Sequence, residues 1–152
     1  TTNKSLFIYD GFDLYTTKEK LEDDNKWYNE KTKKHEDVFK QIRFFTLPNL
    51  LVVDFKRFDN TTRKNNCLID FPIDNLDLSK YVIGYNKKSY VYDCYGVCNH
   101  SGSALGGHYT SYVKNANGKW YHFNDAQVSE IEDIKKIVST KAYCLFYRKK
   151  NK

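Results

Sequence analysis

The 152-residue sequence has no methionine, only two prolines and only seven glycines. So little Pro and Gly, with no low-complexity tract, excludes a collagen-like or disordered chain. No apolar run approaches the roughly 18–20 residues that a membrane-spanning helix requires, and no signal-peptide pattern opens the chain. A membrane partner is therefore not expected. None of the four cysteines, Cys67, Cys94, Cys98 and Cys144, forms a C-x-x-C pair. Without a secretion signal they read as reduced thiols rather than a disulfide framework. The even spacing of Cys94 and Cys98 in the run Val91–Cys98 predicts that both face one side of a strand, as core thiols. Joining His100 to them leaves a metal without an evident fourth ligand, so no metal is expected there.

What is abundant is aromatic: 13 Tyr, 10 Phe and 2 Trp make 16% of the chain, ample for a packed core in a single domain. The formal charge is +6, with basic residues gathered at Lys31–Lys34 and Arg148–Lys152 and acids at Glu19–Asp24. No nucleic-acid motif accompanies them, so the charge reads as solvated surface and no nucleic-acid partner is expected.

Apolar residues at Leu6, Tyr9, Phe12 and Tyr15 predict a short amphipathic helix over 5–15, weakened by Gly11. Thr16–Lys26 reads as a loop or a short helical turn. Two β-rich runs, Val38–Leu47 and Leu50–Phe58, flank Pro48-Asn49, a turn signal. A short strand is predicted at Cys67–Phe71, and a turn leading into one helical turn at Asp74–Lys80. A long strand follows at Lys88–Asn99, then a glycine-rich loop, Ser101–Gly107. His108–Lys114 and Lys119–Asn124 are strands joined through Asn115-Ala-Asn-Gly118, a hairpin signal. Ser129–Val138, acidic early and basic late, suits a helix dipole, and Ala142–Arg148 is a closing strand. The class is α+β, an antiparallel β-sheet with a few short helices.

Chemistry gathers at Gly106-Gly107-His108-Tyr109 and Trp120-Tyr-His-Phe-Asn-Asp125. A base histidine needs its second ring nitrogen held by an acceptor. Adjacent strands can supply that pair, and the turn at 115–118 places His108 opposite Asn124 or Asp125. An ordinary sheet histidine would show the same spacing.

Three stretches carry a resemblance. Leu47-Pro-Asn-Leu-Leu-Val-Val-Asp-Phe-Lys-Arg-Phe58 resembles the LPxxLxxxLKRF strand pair of the ubiquitin-specific proteases, with Phe55 where Leu is usual. Tyr92-Asp-Cys-Tyr-Gly-Val-Cys-Asn-His-Ser-Gly102 and Gly106-Gly-His-Tyr-Thr-Ser-Tyr112 are similar to that family's histidine box, with Cys94 in place of its Leu. Trp120, Phe123-Asn-Asp125, Val128 and Ala142-Tyr-Cys-Leu-Phe-Tyr147 resemble its closing strands. The likeness covers roughly residues 10–149.

The resemblance implies the palm and fingers part of a papain-like cysteine protease domain. It implies a thiol-dependent deubiquitinase that hydrolyses the bond after ubiquitin's terminal glycine. His108 would be the general base, Asn124 its orienting partner and Asp125 an assisting acid. His100, Gly106, Gly107 and Tyr109 would contact substrate, with Ser101–Gly107 as a loop over the ubiquitin tail. The family's cysteine box is absent, so residues 1–152 are expected to be the C-terminal half of the catalytic domain and inactive alone. Its partners would be ubiquitin, ubiquitinated proteins and the N-terminal half, and its location intracellular, cytoplasmic or nuclear. A catalytically inactive ubiquitin-binding or scaffolding module is the alternative. Where the family's zinc ribbon carries WxCxxC, this chain has Trp27-Tyr-Asn-Glu-Lys-Thr32. Amide and hydroxyl are poor zinc ligands, so neither zinc nor any other cofactor is expected.

Overall fold

A computed structural model describes residues 5–84 and 90–151. In chain order it runs β1 (Leu6–Phe7), α1 (Ile8–Tyr15), β2 (Glu19–Leu21), β3 (Trp27–Asn29), β4 (Lys34–Glu36), β5 (Val38–Lys40) and β6 (Leu50–Asp54). Then come β7 (Ile69–Asp70), β8 (Leu76–Asp77), β9 (Val91–Ser103), β10 (Gly106–Lys114), β11 (Trp120–Asn124), β12 (Gln127–Ile131) and β13 (Ala142–Lys149). One antiparallel sheet dominates, in the order β12-β11-β10-β9-β13-β6, with β8 added on β9. Three two-stranded ribbons lie outside it: β1 with β7, β2 with β5, and β3 with β4. The α+β expectation of an antiparallel sheet with short helices holds.

The helix at 5–15 forms, preceded by two strand residues. The Asp10 carboxylate accepts the Phe7 amide at 2.8 Å, closing the first turn, and the Thr16 hydroxyl donates to the Phe12 carbonyl at 2.8 Å at the end. Two tyrosines pin α1 to the body. The Tyr81 hydroxyl donates to Asp13 at 2.6 Å, and the Tyr9 hydroxyl accepts the Asp77 amide at 2.9 Å. The core beneath the main sheet holds Ile8, Phe71, Leu76, Leu78, Val97, Trp120, Ile137 and Leu145. Each such side chain contributes roughly 1.5–3 kcal/mol by leaving water. Tyr92 and Tyr147 are fully buried yet satisfied, donating to the Pro48 carbonyl at 2.6 Å and the Pro72 carbonyl at 2.7 Å.

Several expectations are corrected. Ser129–Val138 is not a helix: β12 continues the sheet beside β11 through a two-residue turn at Asp125-Ala126, and only Ile134–Ile137 forms a 3-10 turn. Asp125 takes φ 50°, which a short polar side chain tolerates, and so makes that tight reversal possible. Val38–Leu47 and Leu50–Phe58 do not pair across Pro48-Asn49, because β5 pairs with β2 and β6 with β13. Thr16–Lys26 contains β2 and a 3-10 turn, and Cys67 precedes β7 rather than lying in it. The long strand is β9, running on to Ser103; Lys88 and Ser89, the first residues predicted for it, lie outside the described residues. Cys94 and Cys98 face opposite sides. An extra residue, Tyr95, bulges between the pairs Cys94↔Tyr147 and Gly96↔Phe146 and reverses the alternation.

Candidate active site

The hairpin between β10 and β11 sets the site. Asn115 accepts the Gly118 amide and donates to the Lys119 carbonyl, each at 2.9 Å, while the Asn117 side chain accepts the Lys119 amide at 3.0 Å. The loop is thus five residues, 115–119, and the register runs from Lys114↔Trp120 to Ser111↔Phe123. Continued outward, that register sets His108 across from Ala126, not Asn124 or Asp125 as the turn signal suggested. His108 and Asn124 are diagonal neighbours on one face, a spacing two long side chains can bridge. They do: His108 Nε2 lies 2.6 Å from Asn124 Oδ1. Parity excludes Asp125 from this pairing. It occupies the turn, is exposed, and makes no hydrogen bond or ion pair among the described residues.

The expected substrate-contacting residues fall in two places. Ser101–Gly107 is not an open loop but the end of the β9–β10 hairpin, paired out to Ser103↔Gly106 around Ala104-Leu105. Gly106 is exposed at this tip, where an added Cβ would meet open space. Gly107 is constrained: a Cβ there would collide with the His100 ring nitrogen Nε2 and the Ser101 carbonyl. Gly102 has φ +116°, and a Cβ on it would stand 2.8 Å from the Gly106 carbonyl oxygen.

His100 belongs to β9 and is 6% exposed. Its ring lies 4.7 Å from that of Tyr109, its ladder partner, and edge-on to Phe58 and Tyr143 at 5.9 and 6.4 Å. Lys64 caps it, with Nζ 2.9 Å from His100 Nδ1 and 2.9 Å from the His100 carbonyl. Burial, and then the Lys64 charge, hold the His100 pKa below the ordinary histidine value. Tyr109 is 62% exposed and projects from the sheet face opposite His108. The structure therefore joins His108 to Asn124 and His100 to Tyr109, on two faces of the same strands.

Sequence reasoning missed three side chains around this centre. Lys64 lies in a polar segment between β6 and β7 that carries no motif. Arg57 is buried and ties that loop to β13, donating from Nε to the Ala142 carbonyl at 2.7 Å and from Nη1 to those of Asn65 and Cys67 at 3.1 and 2.9 Å. Asn99 is buried on the His108 face and donates to the Thr110 hydroxyl at 3.5 Å. Its signal is the Asn99-His100 pair of the histidine box.

No cysteine hydrogen-bonds to His108 among the described residues. Burial pushes the Cys94 thiol up to about 12 and the Cys144 thiol up to about 11, and it raises Cys98 as well. At Trp27–Thr32 the side chains that stand where thiolates would bind zinc have another use. The Asn29 amide and Thr32 hydroxyl both donate to Glu36, at 3.1 and 2.6 Å, clipping the β3–β4 hairpin. These hydrogen bonds, Thr32 first, hold the Glu36 carboxyl below its usual range.

The model of the family "Ubiquitin carboxyl-terminal hydrolase" matches residues 6–147. The chain belongs to the ubiquitin carboxyl-terminal hydrolase family. It is 41% identical over 148 residues to human ubiquitin carboxyl-terminal hydrolase 15, covering 95% of this chain and 15% of that protein. It is 37% identical over 153 residues to Arabidopsis thaliana ubiquitin carboxyl-terminal hydrolase 10, covering 98% of this chain and 16% of that protein. It thus spans about a sixth of the length of these hydrolases. Among solved structures it resembles the SAGA Ubp8/Sgf11/Sus1/Sgf73 DUB module bound to ubiquitin aldehyde, with TM-score 0.80 and 28% identity over 99% of this chain and 35% of the matched one. Another structure of that module gives TM-score 0.79 and 29% identity, over 97% and 32%. The antiparallel sheet matches that of these neighbours. No helix of the described residues is long and apolar enough to cross a membrane.

Proposed function

We propose that residues 1–152 form the C-terminal half of a thiol-dependent deubiquitinase catalytic domain and supply its general base. The observation that carries this reading is the 2.6 Å contact between His108 Nε2 and Asn124 Oδ1 at the open end of the sheet. An amide oxygen only accepts, so Nε2 carries the proton and Nδ1 keeps its lone pair. Nδ1 is then the atom that removes a thiol proton. The thiolate attacks the carbonyl carbon of ubiquitin's terminal glycine, the imidazolium returns the proton to the departing amine, and water hydrolyses the thioester.

The nucleophile belongs to sequence outside these 152 residues. Cys94 is buried in the core, and Cys98 and Cys144 have thiols suppressed by burial, the reverse of an activated nucleophile. Cys67 is half-buried before β7 and carries no hydrogen bond to a base. Gly106 adds no side chain to its stretch of the hairpin, leaving open space where the narrow Gly-Gly end of ubiquitin passes. Substrates are ubiquitin-conjugated intracellular proteins, and no cofactor takes part.

The test is a ubiquitin electrophile probe together with a ubiquitin C-terminal amide. Residues 1–152 alone give no adduct and no turnover, whereas the full-length protein gives both and loses turnover on His108→Ala. A probe adduct mapped to one of the four cysteines here sinks the assignment of the nucleophile. Ubiquitin binding without turnover by the full-length protein leaves the non-catalytic module as the correct reading.

A further inference from the structure

The main sheet brings two cysteines face to face. In the β9–β13 ladder Cys98 stands directly across from Cys144, and both are free and half-buried. The two strands are antiparallel, so opposed residues have Cα atoms roughly 4.5–5.5 Å apart. A disulfide needs roughly 4.4–6.8 Å. Both residues lie on the face away from Leu145 and Val97, because each is next to a buried neighbour along its strand. Tyr143 is the extra residue between Ala142↔Asn99 and Cys144↔Cys98, and its hydroxyl favours the Cys98 thiolate. No other pair of cysteines occupies ladder partners among the described residues: Cys94 is across from Tyr147, and Cys67 lies outside the strands.

From this juxtaposition we infer that Cys98 and Cys144 form a redox-sensitive modification site, closing a cross-strand disulfide by exchange with a small-molecule disulfide such as oxidised glutathione. The inference is independent of the deubiquitinase reading, because neither thiol takes part in that chemistry. Cys98 loses its proton, and its thiolate attacks one sulfur of glutathione disulfide, forming a mixed disulfide and expelling one glutathione thiolate. The Cys144 thiolate then attacks the Cys98 sulfur, forming the cross-strand bond and expelling the second glutathione. Two protein thiols are oxidised, one glutathione disulfide is reduced to two glutathione thiols, and the two protons pass to the leaving thiolates. Burial raises both thiols; at Cys98 the Tyr143 hydroxyl offsets part of that rise, whereas at Cys144 the facing Cys98 and Asp54 add to it, so Cys98 acts first. The first step therefore speeds up with pH, about tenfold per unit below the thiol pKa.

The bond would close a loop from 98 to 144 and staple β9 to β13 immediately beside Asn99 and His100. Full-length protein is treated with oxidised glutathione at about pH 8, alkylated and digested. Peptide mapping is expected to recover a linked Cys98–Cys144 peptide that dithiothreitol resolves. Cys98→Ser and Cys144→Ser should each abolish that peptide. With Cys144→Ser, glutathione should remain on Cys98, whereas Cys67→Ser should change nothing. Recovery of the link only at roughly stoichiometric yield across pH 7 to 9, faster at the higher pH, supports the proposal. Glutathione held on either cysteine of the unsubstituted protein without conversion to the link overturns it, as do links from either cysteine to Cys67 and a complete lack of reaction at pH 9. Cys144→Ala is the second variant if the serine perturbs folding.

Discussion

His108 and His100 sit on neighbouring strands, with His108 paired to Ser101 and His100 to Tyr109, yet their surroundings are opposite. His108 is exposed at the sheet's end with one polar partner, an amide oxygen. His100 is enclosed by three aromatic rings and a lysine. The alternation of side chains on a strand produces this contrast within a few residues. A histidine that must gain and lose a proton needs solvent or substrate on one nitrogen and an acceptor on the other. A histidine that fills a wall needs neither, and His100 spends its nitrogen on holding Lys64.

The contrast is broken most severely by exchanging the two positions' losses. His108→Ala in the full-length enzyme is expected to lower kcat/KM roughly 10³–10⁴-fold. Its Tm should stay within about 2 °C, because an exposed ring is removed. His100→Ala should do the opposite, lowering Tm through the cavity left among Phe58, Tyr109 and Tyr143. A thermal melt beside a steady-state assay separates them, and equal loss of activity in two well-folded variants would undo the division of roles.

Next in size comes the choice between the two residues after Phe123. Asn124→Ala should cost about 10²-fold in kcat/KM, since the ring loses its tether but the base remains. Asn124→Asp keeps an acceptor oxygen and should stay near the parent, and Asp125→Ala should change kcat/KM by less than about threefold. A larger loss at Asp125 than at Asn124, with folding intact, would transfer the orienting role. A pair of glycines then sharpens the other half of the comparison. Gly107→Ala drives a methyl group into the His100 ring and should cost about 1–3 kcal/mol of stability. Gly106→Ala enters open space and should shift stability by less than about 0.5 kcal/mol.

Much of this arrangement was legible because the signals were local. The Asn-Ala-Asn-Gly turn, the aromatic closing strand and the histidine box all sit where their residues promise, and they join His108 to Asn124. What escaped was set by partners distant in sequence. The bulges at Tyr95 and Tyr143 arise only when β9 meets β13, and the one at Tyr95 decides which face Cys94 and Cys98 occupy. β12 reads as a helix by charge order, yet pairing with β11 outweighs a helix dipole worth at most about 1 kcal/mol on the surface. Lys64 carries no motif, and its role follows from a loop folded back 36 positions onto His100. The register that sets His108 across from Asn124 is off by two residues without harm, because a shift of two preserves the face, whereas the one that sets it across from Asp125 is off by one and presents the opposite face.

The smallest expected effect concerns protonation of the enclosed ring. Lys64 Nζ donates toward His100 Nδ1 at 2.9 Å, so the folded ring keeps a lone pair there and carries its proton on Nε2. Adding a second proton would set imidazolium against ammonium inside an aromatic wall. Burial and then Lys64 accordingly depress the folded pKa. In the unfolded chain the same histidine titrates near the usual value of about 6.5. Below that pH the unfolded state binds a proton that the folded state refuses, so stability increases with pH across this window. His100 therefore contributes fully above about pH 6.5, and its contribution is lost as pH falls from there to the depressed folded value. Melting curves between about pH 7.5 and 5 should show Tm declining with acid. Staying above pH 5 avoids the carboxylates of Asp13, Glu36, Asp59 and Asp77, all held below their usual range. In His100→Gln that part of the decline should vanish, and in Lys64→Met it should shrink because one of the two causes is gone. An unchanged slope in His100→Gln would show that the ring accepts its proton freely, and the contrast with His108 would then lie in packing alone.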